Sequence, residues 1–184
     1  MQLTHRIALM PSAAQEAYFR CAAGCARFVW NYALAEWNRL YAAGEQPNAM
    51  AIKRAFNRVK YDRFPWMSAI HRDAHAQPFA HLAKAWARFF ADLRAGAQIA
   101  PDGLQERRRL RQAARKLAYK PTFKKKGRVR DSFYVANDRF MLVDAQGQPA
   151  IRLPRAGIYQ CVRLHTVEKA EIHSIFMPPG LWYT

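Results

Sequence analysis

Residues 3–9, LTHRIAL, set Leu3, His5, Ile7 and Leu9 on one face at period two. That alternation predicts a half-buried strand. A lone strand leaves its backbone donors and acceptors unpaired, so it must find partners elsewhere. Pro11 ends it, and a long stretch of helical texture follows. Further β-type runs begin only after residue 130: Phe133 with Val135, then residues 140–143, 151–153, 158–164 and 172–177, with Gly147, Pro154, Gly157 and Pro178-Pro179-Gly180 between them. The first strand therefore pairs across a helical insertion. The expectation is an α+β fold, a small β-barrel or sandwich carrying an inserted helical bundle. The β unit is split over residues 1–10 and 119–184, and residues 11–118 form the insertion.

Ser12 followed by Gln15 makes a capping box that opens a helix. Tyr18, Cys21, Cys25, Phe28, Val29 and Tyr32 follow at helical spacing, and Gly44 is the stop signal after about Ala43. Pro47-Asn48 opens a shorter helix with Ile52, Phe56 and Val59 on one face. Phe64-Pro65-Trp66 is a break. A third helix begins near Ser68, with Phe79, Leu82, Trp86, Phe89, Phe90 and Leu93 as its apolar stripe; Pro78 requires a first turn or a kink. Phe28, Val29, Trp66, Trp86, Phe89 and Phe90 are expected in the core. So are Cys21 and Cys25, which share a helical face. Residues 104–118 would form one more helix with little apolar surface.

The charge is concentrated. Residues 107–130 carry twelve Lys and Arg and no acid, in a chain of formal charge +17. Such density repels itself unless an anion neutralises it, and a polyphosphate gains counterion release by doing so. Tyr119 and Phe123 lie within the run and offer rings for base stacking. Three cysteines without framework spacing argue for reduced thiols and against zinc. His71 and His75 in HRDAH lack the glutamate of a zinc-protease helix and read as incidental. No glycine-rich phosphate loop or nucleophile elbow occurs. No cofactor and no metal are expected. No run of eighteen apolar residues exists and the N-terminus has no signal-peptide shape, so a cytoplasmic location without membrane contact is the default.

Four ordered motifs then carry a family resemblance. MPSAAQEAYF leads into CARFVWNYAL at 25–34; FPWMSAI at 64–70 leads into HLAKAWARFF at 81–90; KPTFKKKG at 120–127 precedes Ser132-Phe133; and IRLPRAGIYQCVRLH at 151–165 precedes Leu181-Trp182-Tyr183. Together they span essentially the whole chain. It resembles the N-terminal part of TnpB proteins, also called OrfB transposases, which are relatives of the type V CRISPR effectors. The resemblance implies a β-barrel wedge domain, similar to oligonucleotide-binding barrels, with an inserted helical recognition domain. The family's first helices carry a helix-turn-helix label. Its full-length members are RNA-guided DNA endonucleases that recognise a short motif beside the target and cut with a RuvC domain.

That nuclease domain would begin after residue 184. Asp62, Asp73, Asp92, Asp102, Asp131, Asp138 and Asp144 are scattered and match no nuclease motif, whereas a two-metal site needs converging carboxylates. The chain alone is expected not to be an enzyme. Its partners would be guide RNA and double-stranded DNA. The binding candidates are Arg107, Arg108, Arg109, Arg111, Arg115, Lys116, Lys120, Lys124, Lys125, Lys126, Arg128 and Arg130, with Gly127 allowing a turn that gathers the lysines. By position, Lys53, Arg54, Arg72 and Gln77 resemble the region that reads the target-adjacent motif. Arg27, Trp30 and Asn31 belong to the ARFVWN signature, and Asn31 is read as structural, a cap or a bridge between elements, in preference to a nucleic-acid contact. Two other readings stay open: a stand-alone repressor of helix-turn-helix type, and a non-catalytic remnant that docks a separate RuvC polypeptide.

Overall fold

The computed structural model describes residues 9–98, 119–136, 140–145, 147–155 and 158–164. The chain is α+β and mostly helical. Its elements are β1 (Leu9–Met10), α1 (Ala13–Ala42), α2 (Ala49–Arg63), a 3-10 turn (Pro65–Ala69), α3 (Arg72–Gln98), β2 (Met141–Ala145), β3 (Gln148–Arg155) and β4 (Ile158–Leu164). The strands form one antiparallel sheet in the order β1-β4-β3-β2. Leu9 pairs with Leu164 and Met10 with Arg163, so the N-terminal strand does find its partner beyond the helices.

Local signals set the helix ends. The Ser12 hydroxyl accepts from Gln15 N at 3.3 Å, and Gln15 Oε1 accepts from Ser12 N at 2.9 Å, completing the capping box. Gly44 follows α1 with φ +79°, a left-handed position that a Cβ would strain. Asn48 caps α2 by accepting from Met50 N at 2.9 Å and Ala51 N at 3.1 Å. The third helix starts at Arg72 rather than near Ser68, because Pro65 and the residues after it close a 3-10 turn first. Helix α3 then runs through Pro78. Pro78 has no N–H, so the Ala74 carbonyl loses its usual donor four residues on.

One core joins helices and sheet. Phe19, Val29, Leu34, Phe56, Met67, Phe79, Leu82 and Trp86 pack in a cluster that also holds Leu9, Val135, Ile151 and Leu153. Several core expectations need correction. Trp66 is 47% and Phe90 38% exposed, and Cys21 is exposed while Cys25 is buried. Phe28 and Phe89 sit half-buried at the cluster's margin. The histidines read as incidental are instead interior: His71 is 6% and His75 1% exposed. Phe133 and Val135 belong to no strand; they lie in an irregular segment packed on the helices. The expected run at 172–177, the Leu181-Trp182-Tyr183 motif, the expected helix at 104–118 and residues 1–8 lie outside the described residues. Among the described residues no helix is long and apolar enough to cross a membrane.

Candidate nucleic-acid interface

The segment at 119–136 crosses the helical layer without regular structure of its own, as a strap. Its backbone groups therefore need side-chain partners, and α1 supplies them. Trp30, Asn31 and Arg27 fall on one side of α1 because they are three and four residues apart. Trp30 Nε1 donates to Thr122 O at 2.9 Å. Asn31 makes two bonds to one residue: Nδ2 donates to Lys124 O at 2.9 Å, and Oδ1 accepts from Lys124 N at 2.8 Å. A carboxamide carries both donor and acceptor, so it imitates a strand neighbour at this point. Arg27 then pairs with Asp131.

Helix α3 holds the far end of the strap. His71 Nε2 lies 3.0 Å from Tyr134 O, and its Nδ1 lies 3.1 Å from the Tyr18 hydroxyl. A carbonyl only accepts, so Nε2 carries the proton. Nδ1 then accepts from Tyr18, whose oxygen in turn accepts from His71 N at 3.1 Å. This requires neutral imidazole. Burial pushes the His71 pKa down, against smaller upward pulls from the Tyr134 carbonyl and Asp73. Asp73 Oδ2 accepts from Ala136 N at 3.1 Å. The Phe133 ring packs on Phe19 and His71 with centroids 5.7 and 5.3 Å away.

Between these anchors the strap turns. Arg128 N and Val129 N both donate to Lys125 O, at 3.2 and 3.3 Å, and Gly127 takes φ +77°. The turn sorts the lysine cluster. Lys125, Lys126, Arg128 and Arg130 are exposed around it. Lys124 is half-buried, its Nζ 4.2 Å from the Trp30 ring centroid. Burial first, and Arg27 second, push the Lys124 pKa down. Lys120 is exposed with Nζ 5.9 Å from the Trp86 ring centroid. Tyr119 is 84% and Phe123 52% exposed beside these cations. Arg107, Arg108, Arg109, Arg111, Arg115 and Lys116 lie outside the described residues.

The other candidates do not gather in one place. Lys53 is half-buried and Arg54 exposed on α2, Arg72 is exposed at the start of α3, and Gln77 lines a cleft between α1, α3 and the strap. The geometry adds residues not singled out from sequence. With Ile52, Phe56 and Lys60 turned inward, α2 leaves Arg54, Asn57, Arg58 and Tyr61 exposed at steps of three and four. The same helical spacing that marked the Ile52–Phe56 face would have found this opposite stripe. Asp73 and Asp131 are tied to the strap, and Asp144 Oδ1 accepts from Gly147 N at 2.6 Å in the β2–β3 turn. Cys25 is no nucleophile: burial, partly opposed by Lys60, pushes its thiol up to about 12.

Residues 1–46 match the family model described as a helix-turn-helix domain, of the IS605 OrfB type. The match covers β1, all of α1 and the turn at Gly44, and α2 begins just beyond it. No curated protein matches the chain. Over this quarter of the chain, residues 1–46 are thus similar to the N-terminal helix-turn-helix domain of IS605 OrfB-type transposases.

Proposed function

We propose that the chain is the nucleic-acid-binding module of a TnpB-type, RNA-guided transposon protein. It grips guide RNA and the duplex beside the target in the cytoplasm, and does not cut DNA by itself. One observation carries this reading: a cationic turn, with Lys125, Lys126, Arg128 and Arg130 exposed, is pinned on one side by Asn31 of α1 and on the other by His71, just before α3, and Asp73 of α3. A charge run left to itself would spread out; this one is held in a fixed place, as a backbone-tracking surface needs. Tyr119 and Phe123 add exposed rings for unpaired bases. The exposed stripe of α2 suits duplex DNA, because Arg and Asn are the residues that read purine edges in the major groove.

In this reading the four-stranded sheet is part of a wedge barrel. The helices between β1 and the strap form its inserted recognition unit. The absence of cutting rests on the acids: Asp73, Asp131 and Asp144 already serve backbone or arginine partners at separate places. A RuvC nuclease domain would supply the chemistry.

The test is binding to RNA and to duplex DNA across salt. With six to ten phosphates engaged, affinity should drop by roughly 10³–10⁵ between about 50 and 200 mM salt. Replacing Lys125, Lys126 and Arg128 together by Ala should flatten the salt slope by about one unit per lost contact. Salt-independent binding, or an unchanged slope in the triple variant, defeats the proposal. With Mg²⁺, RNA and target DNA present, the duplex should stay intact.

A further inference from the structure

We propose that the cleft between α1, α3 and the strap holds one unpaired nucleotide of a bound strand, its base inside and its phosphate at the rim. This rests on the nucleic-acid reading above and gives it a specific subsite.

The cleft measures about 200 Å³. Sites for drug-sized ligands run from about 300 to 1,000 Å³, so this one suits a single planar ring system and not a duplex edge. Its inner wall is small and apolar, made by Ala23, Ala26, Ala74, Pro78 and the Phe133 ring. Such a wall accepts the flat face of a base. Phe133 is already fixed by Phe19 and His71, so little order is lost when something packs on it.

A polar side chain then addresses the base edge. Ala74 and Pro78 both line the cleft, and Pro78 deprives the Ala74 carbonyl of its helical donor. Ala74 itself is fully buried, so it shapes the wall and does not meet the base edge. Gln77, half-buried one turn along, can donate and accept at once.

The rim carries a net positive charge. Arg27, Lys124 and Arg130 bring three positive charges and Asp131 one negative, which leaves two positive. Asp131 is taken by Arg27. A phosphodiester between Lys124 and Arg130 would meet that surplus and offset the cost of burying Lys124 near Arg27. The neighbouring turn with Lys125, Lys126 and Arg128 lies where the flanking phosphates of the same strand would run.

The experiment uses single-stranded oligonucleotides containing one 2-aminopurine, titrated against the full chain, with free nucleoside 5′-monophosphates as a second arm. Wild type should change the 2-aminopurine emission on binding. Ala26→Leu, which fills the cleft without touching a charge, should abolish that change. It should weaken strand binding about five- to hundredfold, the loss of one stacked base, and leave the salt slope unaltered. Gln77→Leu, which removes the edge contact at nearly constant volume, serves as a second variant should the melting of Ala26→Leu be disturbed. Strand binding and emission unchanged in both folded variants overturn the subsite while the module survives. A mononucleotide that binds in the cleft without competing with the strand overturns the assignment to a strand nucleotide. No strand binding at any salt overturns both the subsite and the module.

Discussion

Helices α1 and α2 are both rich in polar residues but spend them differently. On α1, Arg27, Trp30 and Asn31 turn inward and hold the strap. On α2, Arg54, Asn57 and Arg58 stand exposed. A signature inside a segment classed as helix-turn-helix would ordinarily be assigned to DNA. Here Trp30 and Asn31 are occupied by the protein's own backbone and Arg27 by the Asp131 carboxylate, and the outward stripe lies on the next helix. Charge counting cannot separate these cases, because a guanidinium held in an internal pair and one facing solvent look alike in sequence.

The largest expected break between inward and outward polar groups comes with pH. His75 is buried against α2, and neither ring nitrogen has a hydrogen-bond partner. Burial, then Lys60, then His71 push its pKa from 6.5 down to about 4, with Arg72 adding to the fall and Asp73 opposing it. The folded state thus keeps His75 neutral while the unfolded chain takes up a proton below 6.5. Stability should be full above that value, decline as pH falls toward about 4, and level off below it. His71 acts in the same direction. A fall of about 3 kcal/mol from His75 is expected from the size of the shift. Urea unfolding at a series of pH values measures it. His75→Leu should flatten the curve, and an equally steep curve in that variant would place the acid sensitivity elsewhere.

Next in size is the pair of asparagines. Asn31→Ala removes two partly buried hydrogen bonds at once and should destabilise the chain by about 2 kcal/mol. Amide exchange at Lys124 should rise with it. Asn57→Ala, on the exposed face of α2, should stay within about 0.5 kcal/mol of wild type and act on DNA binding instead. Equal destabilisation by the two substitutions would erase the distinction between the helices.

Much of this was legible beforehand, for physical reasons. Caps are local, so Ser12, Gln15, Asn48 and Gly44 marked the helix ends correctly. Short β-type runs punctuated by Gly and Pro marked β2, β3 and β4, and the unpaired needs of a lone strand called for the long-range pairing made by Leu9 and Leu164. Asn31 as a bridge was also readable, since an amide beside an apolar stripe needs a partner. What escaped were features set by packing between distant elements. Trp66 is exposed because its 3-10 turn lies at the edge of the cluster, where it meets Phe28 edge-on at 5.5 Å. The split within the lysine cluster depends on the turn at Gly127, which places Lys124 over Trp30 and turns Lys125 and Lys126 to solvent. The burial of His71 was hidden because its partners, Tyr18 and Tyr134, are remote in sequence.

The smallest expected effect asks what fixes the strap: shape or charge. Arg27 is 17% and Asp131 37% exposed, so solvent screens their pairing. A double-mutant cycle with Arg27→Ala and Asp131→Ala should return a coupling of about 0.2–1 kcal/mol, shrinking as salt is added. Asp131→Ala alone has a second consequence. It leaves Arg27 unpaired near Lys124, so the Lys124 pKa, already lowered by burial and by Arg27, should fall further. Proton NMR titration of the Lys124 side chain reads that shift directly. If the strap is held chiefly by backbone bonds to Trp30 and Asn31, the coupling must stay well below the cost of Asn31→Ala. A coupling above about 2 kcal/mol would make the ion pair the principal latch. Binding of the strap would then be governed by salt even without nucleic acid, and the contrast between an anchored α1 face and an available α2 face would have to be redrawn as a contrast in charge alone.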